Sequence, residues 1–112
     1  MSKEQKKQVR AAFRTAVFTR DKYTCRGCNL QVPAVLAEGA LDAHHITPRT
    51  DLPNGGYVKE NGVTLCKAPG GCHEKAEDFF SKGETLPTFT PEALYKAIGS
   101  SREEAEKASR KL

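Results

Sequence analysis

Apolar residues near the start of the chain recur every three or four positions, which is the spacing of one face of a helix. At about 100° per residue, five of them gather on one side, so the sequence predicts a helix over residues 3–18. The apolar side is formed by Val9, Ala12, Phe13, Ala16 and Val17. Four basic residues are expected on the opposite side: Lys3, Lys7, Arg10 and Arg14.

The centre of the chain predicts two short strands, at residues 41–46 and 63–66. The segment between them, residues 47–59, contains two prolines and an Asn-Gly-Gly sequence, so we expect an irregular loop. Upstream, the Cys-Arg-Gly-Cys sequence at residues 25–28 predicts a tight turn between extended segments. In this turn Gly27 is expected to take a positive φ that brings the two sulfur atoms together.

Helix signals return in the second half of the chain. Residues 72–82 predict a helix that ends at Gly83. The sequences Thr90-Pro91 and Ser101-x-x-Glu104 predict the starts of two further helices, because proline is favoured at the first helical position and Ser and Glu have capping-box spacing. Residues 83–112 contain few large apolar side chains and are therefore expected to form a helical tail.

A chain of 112 residues is long enough for one small domain and too short for a large multi-layer enzyme fold. It has neither a run of about 18 apolar residues nor an apolar signal-peptide block, so we expect a cytoplasmic protein with no membrane association. The charge is uneven: residues 1–26 hold eight Lys and Arg against two Asp and Glu (+6), whereas residues 27–112 hold ten against twelve (−2). The basic segment favours an anionic partner.

The four cysteines form two close pairs, Cys25-x2-Cys28 and Cys66-x5-Cys72. Reducing compartments keep thiols reduced, so such pairs favour metal ligation over disulfides. Four thiolates suit tetrahedral zinc, and a site closed by four sulfurs leaves no open position for water or substrate. We therefore expect a structural zinc at these four residues. Thiol redox chemistry and four free thiols are the alternatives.

The three histidines, His44, His45 and His73, flank the predicted strand, loop and helix. Together with the cysteines they form an ordered set that resembles the HNH endonuclease family, whose ββα-metal unit also occurs in the colicin nucleases. The resemblance covers about residues 18–80. It is carried by the Cys25/Cys28 turn, Asp42-Ala43-His44-His45-Ile46-Thr47-Pro48, Asn61-Gly62-Val63-Thr64-Leu65-Cys66 and Cys72-His73-Glu74-Lys75.

This resemblance implies a small α+β fold, in which a ββα-metal core with a structural four-cysteine zinc is flanked by helices. A single HNH domain is expected over residues 1–112. Residues 1–20 would form its basic amino-terminal helix, residues 21–82 its zinc-stabilised core and residues 83–112 its helical tail.

The resemblance also implies a role for each matched residue. His45 would be the general base that activates water, and His44 and His73 would bind one catalytic divalent metal, Mg²⁺ or Mn²⁺. Many family members have Asp where this chain has His44, whereas colicin-type members have His. Asn61 would be the family's orienting asparagine, with an ordinary turn residue as the alternative. Glu77, one helical turn after His73, is a candidate further ligand, with a plain surface position as the alternative.

The two adjacent histidines impose a geometric condition. Successive residues of a regular strand point to opposite faces, so His44 and His45 reach one metal site only if the strand ends or bends there. A side-chain amide such as that of Asn61 could fix the bend by hydrogen bonding to the loop backbone.

These features lead to the hypothesis of a metal-dependent DNA endonuclease, either monomer or dimer. A monomer should nick duplex DNA, whereas double-strand cleavage would need a dimer or a second visit. Its phosphate contacts are expected from Arg49 and from the helix residues Lys7, Arg10 and Arg14. The sequence contains no helix-turn-helix or finger array, so intrinsic sequence specificity should be low and a protein partner would have to supply more. The alternative is a non-catalytic, zinc-stabilised DNA-binding module.

Overall fold

A two-stranded antiparallel sheet lies at the centre of the fold. In the computed structural model, which describes all 112 residues, β1 (Leu41–His45) pairs with β2 (Gly62–Cys66). Leu41 lies opposite Cys66 and His45 lies opposite Gly62. Both predicted strands are confirmed to within one residue. The side chains of Leu41, Val63 and Leu65 are buried and form the part of the core that lies on this sheet.

The long helix α1 (Lys3–Arg20) packs directly on this sheet. It begins at a capping box between Ser2 and Gln5, and its predicted range is confirmed with a two-residue extension. A Cβ atom at Gly62 would lie 2.4 Å from a methyl group of Val17 and 2.7 Å from the ring of Phe13. Glycine is therefore required at this end of β2 for the helix to approach so closely.

The predicted faces of α1 need correction. The buried residues are Phe13, Val17 and Phe18, whereas Ala12 is exposed. Arg10 and Arg14 line a cavity together with Phe13, so this basic stripe borders the buried stripe and does not lie opposite it. The physical reason is that helix positions 10, 13, 14 and 17 all fall within one broad side of the helix.

Four further helices complete the fold: α2 (Ala37–Ala40), α3 (Cys72–Ser81), α4 (Pro91–Ala97) and α5 (Arg102–Arg110). The predicted starts of α4 and α5 are confirmed, since the hydroxyl of Thr90 accepts from Ala93 N–H and that of Ser101 from Glu104 N–H. The reciprocal half of the capping box at Ser101 is not formed. As predicted, α3 stops just before Gly83, which has a φ of +79°.

The loop between the strands is built from short 3₁₀ turns: Arg49–Asp51, Pro53–Gly56 and Lys59–Asn61. Together with β1, β2 and α3 it forms a ββα unit, and the whole is a small α+β fold. The tail packs against this unit, because Leu94 and Tyr95 of α4 and Ala105 of α5 are buried. No helix combines the length and the apolar character that crossing a membrane requires.

A buried carboxylate, that of Asp21, ties the end of α1 to the sheet. Its side chain is fully enclosed and accepts hydrogen bonds from the Arg20 guanidinium, at 2.8 and 2.9 Å, and from the Thr64 N–H of β2 at 3.0 Å. Arg26, on the following turn, lies 3.6 Å away. Arg20 also donates to the Gly62 carbonyl at 2.6 Å. The carboxylate is therefore paired with charge and with backbone, as burial of a charge requires.

Replacing Asp21 with Ala should lower the free energy of unfolding by about 2–4 kcal/mol, because the Thr64 N–H and the Arg20 guanidinium lose their shared acceptor. Urea denaturation at neutral pH measures this change. The control is Glu106→Ala, which breaks the helix-surface pair with Arg110 and should cost about 0.5 kcal/mol or less. Equal destabilisation by both variants would contradict the role assigned to Asp21.

Candidate active site

The four cysteines converge on one point between three elements of the fold. Cys25 and Cys28 lie on the turn after α1, Cys66 ends β2 and Cys72 begins α3. All are free thiols, and their sulfur atoms lie within 4.8 Å of one another. The Cys28 and Cys66 sulfurs are 3.9 Å apart, close to the spacing of about 3.8 Å that a tetrahedron with Zn–S bonds of about 2.3 Å requires. The cluster fits a zinc ion.

Backbone groups surround these sulfurs as they do in metal–thiolate sites. The Cys66 N–H points at the Cys25 sulfur at 3.2 Å, and the Cys72 N–H points at the Cys66 sulfur at 3.4 Å. Burial raises the pKa of the Cys25 and Cys72 thiols. Because thiols ligate as thiolates, metal binding at this cluster must release protons.

The glycine of the Cys-Arg-Gly-Cys turn has a different role from the predicted one. Gly27 does not have a positive φ, whereas Asn29 does, at +66°. A Cβ atom at Gly27 would lie 2.6 Å from the Cys72 sulfur and 2.8 Å from the Phe89 ring. Glycine is needed here for space, because the turn lies directly against the start of α3.

A second cluster is formed by His44 of β1 with His73 and Glu77 of α3. A Glu77 carboxylate oxygen lies 3.2 Å from His44 Nδ1 and 3.3 Å from His73 Nε2. Two ligand atoms bound at about 2.1 Å to one cation lie about 3.0–3.4 Å apart, so this spacing fits a shared metal ion. A hydrogen bond from His44 keeps the pKa of Glu77 below its usual value, and the carboxylate is therefore anionic.

Asp42, to which the sequence analysis assigned no separate role, lies beside this cluster. Its carboxylate lies 3.1 Å from His73 Nε2. The signal that could have found it is strand alternation, since Asp42 and His44 are two residues apart and face the same side of β1. Two imidazoles with one or two carboxylates leave open positions on a divalent cation, which is typical of a catalytic site.

His45 lies beside this cluster and packs between two aromatic rings. Its ring stacks on Phe13 at 4.5 Å between centroids, and the Tyr57 ring meets it edge-on at 4.8 Å. Burial, followed by the charge of Arg49, lowers the pKa of His45 to about 4. Its Nε2 is enclosed without a hydrogen-bond partner, which leaves Nδ1 as the more accessible ring nitrogen. The imidazole is neutral at neutral pH.

Both His44 and His45 line one cavity, together with His73 and Glu77. The strand ends at His45, so the geometric condition set by the adjacent histidines is met. Asn61 makes the hydrogen bonds that fix the chain beyond this point. Its amide donates to the carbonyl of Thr47 at 3.1 Å and accepts from the N–H of Thr47 at 2.9 Å.

The Asn61 side chain has two further partners and is completely buried. It donates to the carbonyl of Gly56 at 3.2 Å, and its oxygen accepts from the Tyr95 hydroxyl at 2.7 Å. The Tyr95 hydroxyl is in turn 2.6 Å from that of Thr47. Helix α4 of the tail, which carries Tyr95, therefore helps to hold the segment that follows His45.

The predicted phosphate-binding residues divide into two groups. Arg10, Arg14 and Arg49 line a cavity on the α1 side of His45, whereas Lys7 does not line it. Arg49 donates to the Tyr57 hydroxyl at 2.9 Å, and the Arg10 guanidinium lies 5.8 Å from the centre of the Tyr57 ring. Phe13 and Tyr57, which position both His45 and the arginines, had no signal in the sequence beyond being aromatic.

Residues 25–79, which are 55 of the 112 residues, match the model of a protein family described as HNH endonuclease. No curated protein and no solved structure matches the chain. The matched stretch contains all four cysteines, all three histidines, Asn61 and Glu77. Helix α1, with Arg10, Phe13 and Arg14, lies outside it.

Replacing Cys25 with Ser should abolish tight zinc binding and lower the melting temperature, because loss of one thiolate opens the four-sulfur site. Metal analysis of the purified protein and thermal denaturation with and without a chelator measure both effects. The control is His73→Ala, which should retain one zinc per chain. Retention of stoichiometric, chelator-resistant zinc by Cys25→Ser would contradict a four-cysteine site.

Proposed function

Because residues 25–79 match the HNH endonuclease family model, we propose that the chain is a member of this family and a metal-dependent DNA endonuclease that hydrolyses phosphodiester bonds. Membership of this family implies a nuclease or DNA-binding function. The observation that favours catalysis is the placement of neutral His45 in the same cavity as the His44, His73 and Glu77 cluster. A binding module has no need of a buried base beside an open metal site.

His45 acts as the general base in this proposal. Its Nδ1 takes a proton from the attacking water, and the resulting hydroxide attacks phosphorus. The rings of Phe13 and Tyr57 hold the imidazole in one orientation, so that little rearrangement is needed before reaction. Arg49, which lines the same cavity, donates hydrogen bonds to the phosphate and orients it towards His45.

His44, His73 and Glu77 would hold the divalent cation. When bound, the cation would offset the negative charge of the pentacoordinate phosphoryl transition state and stabilise the departing 3′ oxygen. The Asp42 carboxylate lies 3.1 Å from the same His73 Nε2 that would face the cation, so it would be a further ligand to that ion. Mg²⁺ or Mn²⁺ is the proposed ion, although imidazole ligands also suit Zn²⁺, and a direct assay must compare the three.

The zinc proposed at the cysteines is structural. It would also hold the catalytic cluster in place, because one of its ligands is next to a cluster residue in the sequence. Cys72 and His73 are neighbours at the start of α3, while Cys66 ends the strand paired with β1. Joining the two cysteines through one ion therefore fixes His73 relative to His44. In this proposal residues 1–112 form a single HNH domain, with the helix over 1–20 and the tail over 83–112 supporting the core.

One ββα site cuts one strand in each encounter, so the proposed product on duplex DNA is a nick with 5′-phosphate and 3′-hydroxyl ends, as the family resemblance implies. The sequence contains no helix-turn-helix or finger array, so the proposal includes low intrinsic sequence specificity. A partner protein would supply any greater specificity, and the proposed setting is the cytoplasm.

The test is incubation of supercoiled plasmid with the wild type and with His45→Ala, in EDTA, Mg²⁺, Mn²⁺ or Zn²⁺. We expect the wild type to produce open circles only with added metal, and the variant to be slower by about 10²–10⁴-fold, since this is the usual contribution of a base. Circular dichroism and zinc content should be unchanged in the variant.

Two results would contradict the proposal in different ways. Equal nicking by both proteins would exclude His45 as the base. Absence of cleavage under every metal, with DNA binding intact in both proteins, would favour the non-catalytic zinc-stabilised binding module.

Replacing Lys7, Arg10 and Arg14 together with Gln should weaken DNA binding and flatten its salt dependence. Each lost phosphate contact reduces the slope of log K against log salt by about 0.9. Fluorescence anisotropy with a duplex at several salt concentrations measures the slope, with Lys82→Gln as a control on the far end of α3. An unchanged slope would exclude α1 as a phosphate-binding element.

A further inference from the structure

We propose that the cavity on the α1 side of His45 binds the phosphate next to the one that is cut. The proposal rests on the endonuclease function and adds a second phosphate subsite to it. It therefore assigns the chain a substrate class, namely a nucleic acid strand with at least two consecutive phosphates.

Two cavities meet at His45. One contains the ligand cluster of His44, His73 and Glu77, and the other is lined by Arg10, Arg14 and Tyr57. Both His45 and Arg49 line both cavities. A strand whose scissile phosphate lies at His45 in the first cavity therefore has a neighbouring phosphate within reach of the second.

The second cavity carries positive charge that the protein does not neutralise. No carboxylate lies within 4.0 Å of the guanidinium groups of Arg10, Arg14 or Arg49, whereas Arg20, Arg26 and Arg110 are all paired. Asp42 also lines this cavity, but its carboxylate is engaged by His73 at 3.1 Å on the other side. Guanidinium groups match the geometry of phosphate oxygens, so an anion of this kind is the complementary ligand.

Tyr57 contacts two of the arginines of the second cavity and also His45. Its hydroxyl accepts from Arg49, and its ring lies beneath Arg10 and against His45. Burial alone would raise the pKa of Tyr57, but the hydrogen bond from Arg49 and the positive charges of Arg49 and Arg10 bring it below its usual value. The same side chain thus links the arginines of the second cavity to the base in the first.

A dinucleotide fixes the position of the cut, since d(TpT) has only one internucleotide phosphate. We would compare d(TpT) with two extended ligands that carry a methyl-esterified phosphate at the 5′ or at the 3′ end, so that the added group has one charge. Binding is measured by nuclear magnetic resonance titration without a divalent metal, and cleavage is measured separately with metal.

One of the two extended ligands should bind the wild type about tenfold or more tightly than d(TpT), because the added phosphate accepts charged hydrogen bonds from the arginines. This gain should disappear in Arg10→Gln and Arg14→Gln. Both residues are exposed helix positions at which Gln is well tolerated. Lys7→Gln is the matched control, because Lys7 lies one turn away with the same charge and does not line the cavity. It should retain the gain.

Equal binding of all three ligands would overturn the subsite, and so would a gain that survives in an Arg10→Gln/Arg14→Gln double variant. Loss of the gain in Lys7→Gln to the same extent would also overturn it, because the effect would then be general attraction to α1. Failure of the endonuclease function is distinguishable from these results. In that case no ligand and no plasmid is cleaved, whereas the binding gain and its dependence on Arg10 and Arg14 persist.

Discussion

The buried amide of Asn61 satisfies four hydrogen bonds at once, and the position of both adjacent histidines depends on it. Strand β1 ends at His45. Two residues later, the N–H and carbonyl of Thr47 bond to the Asn61 amide and not to a neighbouring strand. A regular strand would direct His44 and His45 to opposite faces. Because the chain is held in a non-strand path immediately beyond them, both side chains can line one cavity. The Tyr95 hydroxyl completes the arrangement from the tail.

The two side-chain clusters connect different elements of the small core. Four sulfurs connect the turn after α1, the end of β2 and the start of α3. A chain of 112 residues buries few apolar side chains, and these alone would hold the three elements together only weakly. The histidine and carboxylate cluster spans β1 and α3. Since Cys72 and His73 are adjacent, the same helix start belongs to both clusters.

Local signals explain how much of this could be predicted from sequence. The strands, the stop of α3 before Gly83 and the starts at Thr90 and Ser101 depend on nearby residues, and all are confirmed to within about a residue. The cysteine and histidine clusters followed from ligand types in a familiar order. The roles of Phe13, Tyr57 and Asp42 could not be predicted, because each depends on a contact between elements far apart in sequence. The prediction for Gly27 is wrong for the same reason, since glycine is needed there to leave space for Cys72 and not to give the turn a positive φ.

The stacking of His45 on Phe13 has a consequence for how this module could be moved or divided. The stretch that matches the family, residues 25–79, carries both ligand clusters, yet the ring beneath His45 is supplied by a helix outside that stretch. Helix α1 also occupies the space beside Gly62, where a Cβ atom would lie 2.7 Å from the Phe13 ring. A graft of the matched stretch onto another scaffold would transfer every ligand and leave one face of the imidazole open to water. The functional unit is therefore longer than its recognisable signature.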